Sequence, residues 1–124
     1  MAEFLLASPE PVEWSLNADR FAAHVLDRWP GADVRGVSDG RLLASAWIRA
    51  GEPWDDTVIE LHPNGSTIGI DSRSYPTVSE IACWWRAIVP SDVPVLWLFD
   101  RGFSGYSAIG PDATPADVFG SGGG

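Results

Sequence analysis

Hydrophobic positions change period along the chain, and each change marks an element. Ala18, Phe21, Ala22, Val25, Leu26 and Trp29 recur at helical spacing, with Arg20, His24, Asp27 and Arg28 on the other side. Asn17 stands at the cap position, Leu16 and Phe21 occupy the two sites of a hydrophobic staple, and Pro30-Gly31 ends the run. A second stripe runs through Val78, Ile81, Ala82, Trp85, Ile88 and Val89, with Trp84 on its shoulder. Thr77-Val78-Ser79-Glu80 reads as a capping box after Pro76, and Pro90 stops this helix.

Between and around these helices the period drops to two. Phe4–Ala7 predicts a short strand, broken by Ser8-Pro9-Glu10-Pro11. Asp33–Val37 and Arg41–Arg49 predict strands joined by the turn Ser38-Asp39-Gly40. Leu42, Ala44, Ala46 and Ile48 share one face of the second, so Leu43, Ser45, Trp47 and Arg49 point away from the core. Asn64-Gly65 suits a type I′ hairpin that sets Leu61 opposite Ile68 and Ile59 opposite Ile70. His62 then faces Thr67, and Glu60 and Asp71 join that outer face. Val95–Phe99 is apolar at every position, as expected of a strand covered on both sides. Tyr106–Ile109 predicts a last strand, Thr114-Pro115-Ala116-Asp117 a helix start, and Gly120–Gly124 a flexible tail. The expectation is one α+β domain over residues 1–119, a mainly antiparallel sheet of about six or seven strands with two main helices on one face.

Composition narrows the function classes. Seventeen carboxylates stand against eight arginines and no lysine, for a net charge of −9, and no arginine cluster forms a positive stripe. Such a surface repels a phosphate backbone, so nucleic acid is not an expected partner. The apolar runs are too short to span a bilayer, and Met1–Leu6 lacks the basic flank and long apolar stretch of a signal peptide. The single cysteine, Cys83, allows no internal disulfide and fits a reducing cytoplasm.

Candidate chemistry is sparse. Gly102-Phe103-Ser104-Gly105 brings its second glycine one residue too early for a nucleophile elbow. His24 and His62 are far apart, neither in a two-ligand spacing with a second His or Cys, and Glu52-Pro53-Trp54-Asp55-Asp56 lacks the ligand ladder and glycine of a calcium loop. Cys83 falls opposite the apolar stripe near Ser79 and Arg86; a reactive thiolate and a small buried residue are both compatible with that place. No cofactor, metal or catalytic residue is assigned.

The seven tryptophans carry the remaining lead, because some fall on core faces and some do not. Trp47, Arg49, Glu60, His62 and Asp71 form an aromatic and charged surface if their strands adjoin, with Trp54, Asp55 and Asp56 at its edge. The expected function is a non-catalytic, acidic, cytoplasmic module that binds another, basic protein, with an immunity or antitoxin-type inhibitor as one concrete form. A second subunit covering the same face, making a homodimer, is also compatible with the pattern. Two alternatives are a small-molecule site with Trp47 and Trp54 lining a pocket between sheet and helices, and a small hydrolase using Ser104 or Cys83 with His62.

Overall fold

The computed structural model describes residues 2–9, 12–36, 40–49, 56–72, 74–100 and 106–115. In chain order the elements are β1 (Ala2–Ala7), α1 (Ala18–Arg28), β2 (Asp33–Gly36), β3 (Ala44–Arg49), β4 (Asp56–Leu61), β5 (Ile68–Ser72), α2 (Tyr75–Ile88), β6 (Leu96–Asp100) and β7 (Tyr106–Ile109). The seven strands form one open sheet in the order β2-β3-β4-β5-β1-β6-β7, every neighbouring pair antiparallel. This is the α+β architecture expected. The β2–β5 meander follows the chain, and β1 enters as the central strand between β5 and β6.

Alternation fixes which side of the sheet is dry. Phe4, Leu6, Ala44, Ala46, Ile48, Ile59, Leu61, Ile68, Ile70, Leu96, Leu98 and Ile109 are buried on one face, packed with Phe21 and Val25 of α1 and Val78, Ile81, Ala82 and Trp85 of α2. Both helices therefore lie on that face. Asn17 caps α1, its Oδ1 accepting from Arg20 N at 2.8 Å, while Asp19 and Arg28 suit the two ends of the helix dipole. Leu26, assigned to the apolar stripe, stays 42% exposed at its margin. Aromatic rings join the helices: Trp84 meets Phe21 at 6.4 Å and Trp29 at 5.1 Å, and Trp85 meets Phe21 at 6.4 Å and Trp14 at 5.7 Å, all edge-on.

Three local readings are corrected. The helix α2 begins at Tyr75 and not at the Thr77 capping box. Ser74 is its cap, accepting from Thr77 N at 3.3 Å, and Pro76 sits in the first turn where its missing N–H costs nothing. The β4–β5 register is the expected one, with Leu61 opposite Ile68 and Ile59 opposite Ile70. Its turn closes one residue early, however, through Gly65 N donating to His62 O at 2.9 Å around Pro63-Asn64. Asn64 Oδ1 then accepts from Ser66 N and Thr67 N, both at 3.0 Å, so the asparagine orders the loop through its side chain. The third correction concerns β6. Leu96 and Leu98 are buried, but Trp97 is 38% exposed and Phe99 half-buried, so this apolar strand is covered on one side only.

Helix α2 is covered more widely than its apolar stripe suggested. Ser79 and Arg86 are buried on the side that holds Cys83, and Cys83 itself is half-buried against the core. Arg86 Nη2 donates to Pro90 O at 2.7 Å. Burial holds the Arg86 guanidinium below its usual range by penalising the charged form. The residues Ser38, Asp39, Ser104 and Ala116–Gly124, on which a turn, a candidate nucleophile, a helix start and a tail were placed, lie outside the described residues.

Candidate functional site

The side of the sheet opposite the helices carries the candidate site. Cross-strand pairing arranges its residues in rows. One row reads Asp33, Trp47, Val58, Asp71 and Glu3 from β2 through β1. The next reads Arg35, Ser45, Glu60, Gly69, Leu5 and Phe99, from β2 to β6. Further along, Ala7 pairs with Trp97, which pairs with Ala108. The strands β3, β4 and β5 do adjoin, as the proposed surface requires, and they bring Trp47, Glu60, His62 and Asp71 onto one face.

Each of these side chains has a definite setting. Trp47 is 55% exposed, between Asp33 and Val58 on its neighbouring strands. The half-buried Glu60 and His62 close over Gly69: a methyl group placed on that glycine would stand 3.3 Å from His62 Nε2 and 3.8 Å from Glu60 Oε1. Leu5 Cδ2 reaches the same point at 3.8 Å, so an apolar side chain borders the space above this glycine as well. Asp71 is half-buried, and its Oδ1 is enclosed with no hydrogen-bond partner among the described residues. An enclosed carboxylate oxygen left unpaired is costly. Asp33 is exposed and held by Arg35 at 3.1 Å, a surface pair worth little to stability.

Arg49 and Asp56 pair in the register at the far end of β3 and β4, which sets both strand positions beside the patch; their side chains are not described. Trp54 and Asp55 lie outside the described residues. What sequence reasoning missed is the apolar extension toward β6: Leu5, Val58, Phe99 and Trp97 continue the surface away from Trp47. The signal was present in Val95–Phe99, but an unbroken apolar run does not reveal which of its alternate positions is left uncovered.

The geometry also places the other candidates. Trp47 is on the opposite face from both helices, which removes it from a pocket between sheet and helices. Cys83 sits on α2 above the dry face while His62 covers Gly69 on the open one, so the sheet separates them. Among the described residues no group of three or more His, Cys, Asp or Glu is arranged to hold a metal ion. None of the described helices is long and apolar enough to cross a membrane.

Comparison with protein-family models, curated proteins and solved structures found no match.

Proposed function

We propose that this chain is a non-catalytic protein-binding module that captures a basic partner on the open face of its sheet, in the manner of an immunity or antitoxin-type inhibitor. The observation that carries this reading is Trp47, more than half exposed on an ordered strand and bordered by carboxylates on the strands around it. A rigid indole that is wet in the free chain and ringed by acids is a composition favoured where partners dock. Val58, Leu5, Phe99 and Trp97 extend the apolar contact; Trp97 is four strand spacings from Trp47, about 19 Å across the strands, and about 13 Å further along them, because it pairs with Ala7 where the row of Trp47 meets β1 at Glu3. Such a span suits a protein surface better than a small molecule.

Charge supplies the partner's sign. Glu3, Glu60 and Asp71 stand on this face beside the Asp33–Arg35 pair, within a chain of net charge −9, so association with a basic protein gains both rate and register.

Affinity purification from the source lysate, run in parallel with wild type and Trp47→Ala at low and high salt, tests the proposal. The expected result is one basic protein recovered by wild type at low salt, lost at high salt and lost with Trp47→Ala. Equal recovery by the two chains would refute the assigned face.

A further inference from the structure

The sheet is open, and its two edges are built differently. A terminal strand leaves alternate N–H and C=O groups without a ladder partner, and charged side chains on it are a common guard against a second chain pairing there. The edge strand β2 carries that guard. Asp33 and Arg35 are exposed and pair with each other at 3.1 Å, so a strand laid along β2 meets both charges. At the opposite edge β7, Tyr106-Ser107-Ala108-Ile109, has neither charge nor proline, and the residues it pairs with, Leu96 to Phe99 of β6, have none either. Among the described residues β7 has a strand on one side only.

Side-chain direction restricts how a further strand lies against β7. Ile109 is fully buried on the helix side, whereas Ala108 is exposed on the open side beside the partly exposed Trp97. Residues directly opposite each other in an antiparallel pair point to the same face. Two copies of β7 satisfy this when their two-fold axis passes through a residue pair, Ser107 opposite Ser107 or Ala108 opposite Ala108. In either register the helices of both copies stay on one side, and the apolar row Ala7, Trp97, Ala108 runs on into its symmetry copy. The edge holds no carboxylate that would draw a basic strand, so its charge matches another uncharged edge, and the chain's own β7 is one.

We infer that β7 pairs antiparallel with β7 of a second copy, giving a two-fold dimer whose sheet runs unbroken through both chains. Four residues per copy make a short ladder, and the net charge of −9 on each copy opposes their approach. The dimer is therefore weak and reversible, and it tightens as salt screens that repulsion. Trp47 on β3 stands five strand positions from this edge and stays uncovered. The dimer is thus independent of the proposed function, and it sets two open faces side by side.

Sedimentation equilibrium of the full chain, from about 10 μM to about 1 mM at low and high salt, measures the association, and amide hydrogen exchange by NMR locates it. The mass is expected to rise from 13.4 kDa toward twice that value, more steeply at high salt, while exchange of the β7 amides slows as concentration increases. Ala108→Lys, an exposed substitution, should weaken the dimer at least about tenfold with an unchanged thermal transition. The added lysine brings the net charge closer to zero, so that loss does not come from long-range repulsion. Trp47→Ala should associate as wild type does. A mass of 13.4 kDa at every concentration, slowing at β2 in place of β7, β7 protection independent of concentration, or a dimer lost with Trp47→Ala but kept with Ala108→Lys would each overturn the inference.

Discussion

Three glycines separate the cost of backbone conformation from the cost of contact. Gly65 has φ 72°, and a methyl group there would lie 2.6 Å from Leu16 O and 2.8 Å from Ser15 Cβ. Gly40 has φ 85° but open space around it, and Gly110 has neither constraint. Replacing Gly40 by alanine exposes the left-handed penalty alone, about 1–2 kcal/mol, partly offset by a stiffer unfolded chain. At Gly65 the same penalty applies, and the hairpin must also withdraw from the segment leading into α1. That movement breaks the 2.8 Å bond from Leu16 N to Gly65 O and loosens the buried Leu16. The bond contributes about 1 kcal/mol and the loosened packing adds a similar amount, so Gly65→Ala should cost about 2–4 kcal/mol. For a domain of this size that lowers Tm by about 8–15 °C, against about 3–5 °C for Gly40→Ala and almost nothing for Gly110→Ala. Calorimetry or thermal circular dichroism on the three variants reads the order directly. Equal losses at Gly65 and Gly40 would show that the hairpin does not dock on Leu16.

Further expectations concern the two faces of the sheet. Trp85→Ala, in the fully buried cluster, should cost about 3–5 kcal/mol, whereas Trp47→Ala should cost only about 1 kcal/mol by urea titration. The buried Thr57 hydroxyl donates to Ser72 Oγ at 2.9 Å, so Thr57→Val, which keeps the shape and removes the donor, should lower stability by about 1–2 kcal/mol. Arg86→Met removes a desolvated cation and two donors that have no partner among the described residues, at the expense of one hydrogen bond; it should raise stability by about 1–2 kcal/mol, and a fall in Tm would show that the guanidinium is satisfied in solution.

Much of this architecture was readable from side-chain period. The cap at Asn17, the Leu61–Ile68 register and the outward direction of Trp47 all follow from local pattern, because each depends on neighbours close in sequence. The misses have long-range causes. The half-open state of β6 depends on which elements cover its two faces, and position along the chain does not reveal that β1 lies between β5 and β6. The early start of α2 reflects Ser74 outcompeting Thr77 as the cap; both hydroxyls are suitable, and the pair ends hydrogen-bonded at 3.0 Å. Burial of Arg86 was invisible because arginine opposite an apolar stripe ordinarily marks a solvated face. Within the candidate site, strand pairing brought Trp47, Glu60, His62 and Asp71 together as alternation implied, while Trp97 and Phe99 required the fold.

The open face is tested most directly by titrating the recovered basic partner against three forms of the chain: wild type, Trp47→Ala, and Leu26→Ala, which removes an exposed apolar side chain on the helix side. Loss of the Trp47 indole should raise Kd by at least about thirtyfold, near 2 kcal/mol, with Leu26→Ala binding as wild type. A Kd that moves with Leu26 and not with Trp47 would place the interface on the helices and contradict the account.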